Sequence, residues 1–62
     1  MKHPCHKDQI SNLRRVKGQI EGIARMISQG KYCVDILNQI KATKNAMKSI
    51  EGKVLKLSLI HI

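Results

Sequence analysis

Sixty-two residues make at most one small domain, and a chain this short buries too little surface to be robust without a disulfide, a metal or a partner chain. Twelve Lys and Arg against four Asp and Glu give a net charge of +8, which points to a polyanionic partner; one Tyr and no Phe or Trp exclude the aromatic platforms that stack single-stranded bases. No apolar run approaches the roughly 20 residues of a membrane span and no secretory signal opens the sequence, so Cys5 and Cys33 are expected to be reduced thiols in the cytoplasm.

Residues 1–7 read as a flexible polar arm in which His3, Cys5 and His6 gather donors suited to Cu(I), Zn or Ni. From Asp8 to Gln29 the apolar residues fall at Ile10, Leu13, Val16, Ile20, Ile23 and Ile27. Gaps of three and four predict a helix with one apolar stripe. Asp8 serves as its N-cap or first-turn acid, and Gly30 supplies a left-handed residue to end it. A second stripe runs through Cys33, Leu37, Ile40, Met47, Ile50 and Val54, widened by Ile36, with Ala42 and Ala46 small enough for another helix to approach closely. Nothing reads as a strand. The expected fold is all-α: helices of about 22 and 25 residues around a Gly30-Lys31 turn, forming an antiparallel hairpin over residues 8–56. Such a hairpin leaves its stripes half covered, so it is expected to dimerise into a four-helix bundle, with a tetramer in the complete protein.

Two sets of cations point to duplex DNA. Arg14, Arg15 and Lys17 lie on the first helix, while Lys41, Lys44 and Lys48, followed by Lys53 and Lys56, run along the second. On a dimer these rows would neutralise several phosphates in a salt-dependent way, although lysines also serve simply as the wet side of amphipathic helices. No helix-turn-helix or zinc-finger spacing fixes the docking geometry. Cys33 opens the second helix on its apolar stripe, where a cysteine can be either core or ligand. No carboxylate pair, Ser/His/Asp set or phosphate-cradling glycine loop is evident, so the chain is not expected to be an enzyme.

The stretch Leu13-Arg14-Arg15-Val16-Lys17-Gly18-Gln19-Ile20-Glu21-Gly22-Ile23 resembles the first-helix signature of the copper-sensing repressor family, which also contains nickel/cobalt, formaldehyde and persulfide sensors. Met26-Ile27 and then Gly30-Lys31-Tyr32-Cys33-Val34-Asp35-Ile36-Leu37-Asn38-Gln39-Ile40-Lys41-Ala42 resemble its second signature. The resemblance implies helical dimers that associate into tetramers, bind operator DNA in the apo state and lose it when ligand binds. It further implies Cu(I) as the metal, Cys33 as a ligand, Tyr32 beside it in support, and remaining ligands from late in the second helix of another subunit. Metal would then tie two helices together and favour an arrangement whose basic face no longer fits DNA.

One departure stands out. A copper sensor of this family should supply His and, four residues later, Cys; counted from Cys33 those positions are Ser58 and Ile62, and His61 lies out of register. Residues 57–62, Leu-Ser-Leu-Ile-His-Ile, can be encoded by a string resembling the transposase end used in preparing sequencing libraries, so they are read as a non-native tail on a truncated chain. His3, Cys5 and His6 are then accessory donors, and Ni(II) or Co(II) with His3 is the nearest rival to copper. A persulfide sensor would need a second helical Cys where Ser58 stands, and a formaldehyde sensor would carry Pro where Lys2 stands. From another class, a basic amphipathic peptide binding membranes or an acidic partner is the alternative, which the mid-chain turn and two matched stripes fit poorly.

Overall fold

The computed structural model describes residues 6–60, and residues 57–60 by their backbone alone. The chain folds as two helices, α1 (Asp8–Ser28) and α2 (Cys33–Ile60), packed as an antiparallel hairpin with no strand among the described residues. Periodicity accounts for both helices. α1 ends one residue before the expected Gln29, and α2 is 28 residues long, longer than its stripe implied, because the backbone stays helical through Ile60.

The turn between them is built from backbone chemistry. Gln29 caps α1, and Gly30 follows with φ of 68°. The Gly30 N–H donates to Ile27 O (3.1 Å) and the Lys31 N–H to Met26 O (3.0 Å). This is the Schellman arrangement, in which a left-handed residue lets two later amides close the last helical carbonyls. Tyr32 immediately precedes α2, and its carbonyl accepts the Ile36 N–H at 3.1 Å. At the other end Asp8 is a first-turn acid rather than the cap; Lys7 occupies the cap position and makes no side-chain cap hydrogen bond. The carboxylate there still complements the positive end of the helix dipole.

Packing departs from the stripe in an informative way. Among the described residues the hairpin buries two apolar side chains, Val16 (4% exposed) and Ile50 (6%), together with Gln9 and Thr43. Ile23, Met26, Ile36, Ile40 and Val54 are half-buried, as are Asn12, Gln19 and Gln39. Polar residues in this seam satisfy part of their own need: Asn12 Nδ2 donates to Gln9 Oε1 (3.0 Å), and Thr43 Oγ1 donates to Gln39 O (2.9 Å). The seam therefore lies along the edge of each apolar stripe. Ile10, Leu13, Ile20, Ile27, Val34, Leu37, Met47 and Leu55 stay exposed.

That exposure is large for the mass. The accessible surface is 5377 Å², whereas a compact monomer of 7.0 kDa would show about 4000 Å². An elongated outline of 49 × 16 × 11 Å accounts for the excess.

Candidate functional site

Cys33 is the first residue of α2, exposed and with a free thiol. Helical spacing places exposed Leu37 four residues and half-buried Ile40 seven residues beyond it on the same side, so the thiol heads an apolar row of α2 that the hairpin covers only in part. Tyr32 adjoins it and is 83% exposed. Asp35 is the acid in the first turn. No group of three or more His, Cys, Asp or Glu gathers anywhere among the described residues. Cys33 by itself therefore does not fit a metal ion. His3 and Cys5 lie outside the described residues, as does the side chain of Ser58, and so do His61 and Ile62.

All six cations singled out in the sequence are exposed: Arg14, Arg15, Lys17, Lys41, Lys44 and Lys48. They do not form a single patch on one hairpin. Arg14 and Lys17, three residues apart, share one side of α1, and Arg15 turns elsewhere. Lys41, Lys44 and Lys48 follow one another along a side of α2 at gaps of three and four. Arg15 instead lines a groove between the helices with Asn12, Val16, Gln19, Ala46, Ser49, Ile50 and Lys53. A second groove joins Arg15 to Gly18, Gln19, Gly22, Arg25, Met26, Gln29 and Gln39.

Lys53, already in the second-helix row of cations, thus belongs beside Arg15, as do Arg25 and Gln19, which reading the sequence for charge runs missed. The signal was present in α1. Arg15, Gln19, Gly22, Met26 and Gln29 recur at gaps of four, three, four and three, a second helical face as regular as the apolar one. Gly18 and Gly22 carry no side chain on this face, and the Arg25 guanidinium lies over Gly22, 3.7 Å from where a Cβ would stand. Gln19 Oε1, buried in the seam without a hydrogen-bond partner, adds an unsatisfied acceptor there.

The sequence model of the metal-sensitive transcriptional repressors matches residues 5–62. The chain belongs to the metal-sensitive transcriptional repressor family. It is 51% identical over 49 residues to the copper-sensing transcriptional repressor RicR of Mycobacterium tuberculosis, an overlap of 79% of this chain and 51% of that protein. It is 53% identical over 51 residues to the copper-sensing transcriptional repressor CsoR of Bacillus subtilis, covering 81% of this chain and 50% of the relative. The CsoR of M. tuberculosis is 36% identical over 39 residues, covering 63% of this chain and 33% of that protein. The chain spans about half the length of the first two relatives. No solved structure matches it. The family is one of transcriptional repressors, not of enzymes. Among the described residues, no helix is long and apolar enough to cross a membrane.

Proposed function

We propose that this chain is a metal-responsive transcriptional repressor that binds double-stranded operator DNA in the apo state and dissociates from it when Cu(I) binds between subunits. The observation that carries the reading is the position of Cys33: an exposed thiol at the head of an apolar row whose next member, Leu37, the hairpin leaves exposed. A second chain covering that row would also cover the thiol, so ligands absent from one hairpin would arrive from its neighbour. The names of the two most fully overlapping copper-sensing relatives support copper over nickel or cobalt.

Self-association is part of the proposal. Among the described residues, eight large apolar side chains besides Tyr32 are exposed along a 49 Å hairpin, more than a small monomer leaves to water, and a dimer would hide them. DNA contact is assigned to Arg14, Arg15, Lys17, Lys41, Lys44 and Lys48, with Arg25 and Lys53 added from the grooves around Arg15. In a dimer each of these cations occurs twice, which gives even separated rows a multivalent hold on a duplex. Tyr32 is assigned to support Cys33.

Residues 57–62 are proposed to be non-native, since Ser58 and Ile62 stand where the resemblance requires His and Cys. The test is to sequence the source locus through codon 56, express the chain it encodes, and follow its binding to its own promoter duplex by fluorescence anisotropy. Cu(I) should release the duplex. Binding that ignores Cu(I) in that chain sinks the copper reading, and a ligand set other than His and Cys moves the protein to the nickel/cobalt or persulfide branch.

A further inference from the structure

We propose that the groove between α1 and α2 around Arg15 and Lys53 is a phosphate-class oxyanion site, filled either by a backbone phosphodiester of a bound duplex or by a free phosphate. The inference rests on the groove alone and stands whether or not the chain is a repressor. Asn12, Arg15 and Gln19 line it from α1, and Ala46, Ser49 and Lys53 from α2. Each set recurs at gaps of three and then four residues, so each lies on one helical face over about 10 Å of axis. The antiparallel pairing of those two faces is what brings Arg15 and Lys53 to one groove.

Its lining is apolar at the core and polar around it. Val16 and Ile50 also line the groove and are both buried, so it reaches down to the small core of the hairpin. Ala46 and Ser49 are short and leave room between the helices, a cavity of about 200 Å³. Pockets for whole small molecules start at about 300 Å³, and this one suits a single oxyanion group.

The charge around it has one sign. Asp8, Glu21, Asp35 and Glu51, the acids of the chain, all lie elsewhere. A guanidinium grips two oxygens of one phosphate in parallel, and an ammonium adds a compact second charge. The Ser49 hydroxyl and two amides complete the donor set. Asn12 gives one amide hydrogen to Gln9 Oε1 and keeps the other. Gln19 points independently to a ligand: its Oε1 is shielded from solvent and has no hydrogen-bond partner, which is uncommon in a folded chain. A hydrogen phosphate can answer that oxygen with its own O–H; a phosphodiester is met once the amide turns and donates. Because the donors come from both helices, an anion here ties α1 to α2 beside Val16 and Ile50.

The test is a titration of the full chain with inorganic phosphate at constant ionic strength, followed by amide NMR. Signals of Arg15, Gln19, Ser49 and Lys53 should shift together and saturate with one dissociation constant. Lys53→Gln and Arg15→Gln should each weaken binding by about tenfold. Ser49→Leu keeps both cations but fills the cavity, and it should abolish the saturating shifts. Lys31→Gln removes the same charge at the turn and should bind phosphate as the parent does. Far-UV circular dichroism of each variant keeps loss of folding apart from loss of a ligand. Shifts that never saturate in the parent overturn the proposal, as does a Lys31→Gln effect equal to that of Lys53→Gln. Promoter duplex added to the phosphate-loaded chain then separates the two sources. Displaced phosphate assigns the site to the DNA backbone, and phosphate retained beside bound duplex assigns it to the free ion. A duplex that does not bind at all sinks the repressor reading and leaves the site to free phosphate.

Discussion

Val16 of α1 and Ile50 of α2 line the same groove between the helices, and they are the two apolar side chains that the hairpin buries among the described residues. Removing most of either should act as a core truncation. For Ile50→Ala the expected loss is about 2–5 kcal/mol, as large as the whole stability that a core in a domain this size provides. The variant should lose its cooperative thermal transition by circular dichroism. A melting curve like that of the parent would show that the stabilising core lies in the association surface instead.

That surface makes a second prediction. Ile20 and Leu37 are more than half exposed although each belongs to an apolar stripe. Replacing either with Glu removes little from the hairpin seam but places a charge where a partner chain is proposed to pack. Sedimentation should show an associated parent and a monomeric variant, and the parent alone should melt at a temperature that rises with concentration. Association unchanged by both substitutions would put the interface on another face.

Helix existence and the turn were legible because they depend on local chemistry: periodic apolar residues from Ile10 to Ile27, and a Gly30 that the helix end could use. Which side of each stripe the hairpin covers was not legible. Both edges of α1 offer helical spacing, one through Leu13, Ile20 and Ile27 and the other through Gln9, Asn12, Val16, Gln19 and Ile23. Hydrophobicity alone favours the first, yet the hairpin closes on the second. An inward Gln or Asn is tolerable when a neighbour answers it, as Asn12 does for Gln9. The candidate site divides in the same way. Cys33 could be located at the start of α2 from its distance to Gly30, whereas the company of Arg15 with Lys53 depends on how two helices are aligned.

Gly30→Ala isolates the cost of the turn. A Cβ placed there meets no atom within 4 Å, so the penalty comes from the backbone at φ of 68° and not from crowding. About 1–2 kcal/mol should be lost. Urea unfolding is the measurement, and a neutral result would mean that the α1 end can close without a left-handed residue.

Salt dependence should sort the cations. Each phosphate contact removed lowers the slope of log K against log salt by about 0.9. Replacing Arg14 and Arg15 with Ala should therefore weaken promoter binding and flatten the slope by nearly two. Arg25→Ala tests the groove it shares with Arg15: a flatter slope places DNA along Gly18 and Gly22, while an unchanged one restricts contact to the other faces.

Cys33→Ala is the decisive substitution for the proposed response to metal, in the chain whose C-terminus the locus defines. The side chain is exposed and contributes nothing to the buried seam, so helicity and association should survive. Its cations are untouched, and promoter affinity without metal should equal that of the parent. What should vanish is release by Cu(I). Linkage makes the same experiment readable from the other side: if metal weakens DNA binding by some factor, DNA must weaken metal binding by that factor. In the parent, adding promoter duplex should therefore lower Cu(I) affinity, and in Cys33→Ala any remaining Cu(I) affinity should be indifferent to DNA. Release that persists without the thiol would remove Cys33 from the sensing site and leave the arm donors as the route by which copper acts.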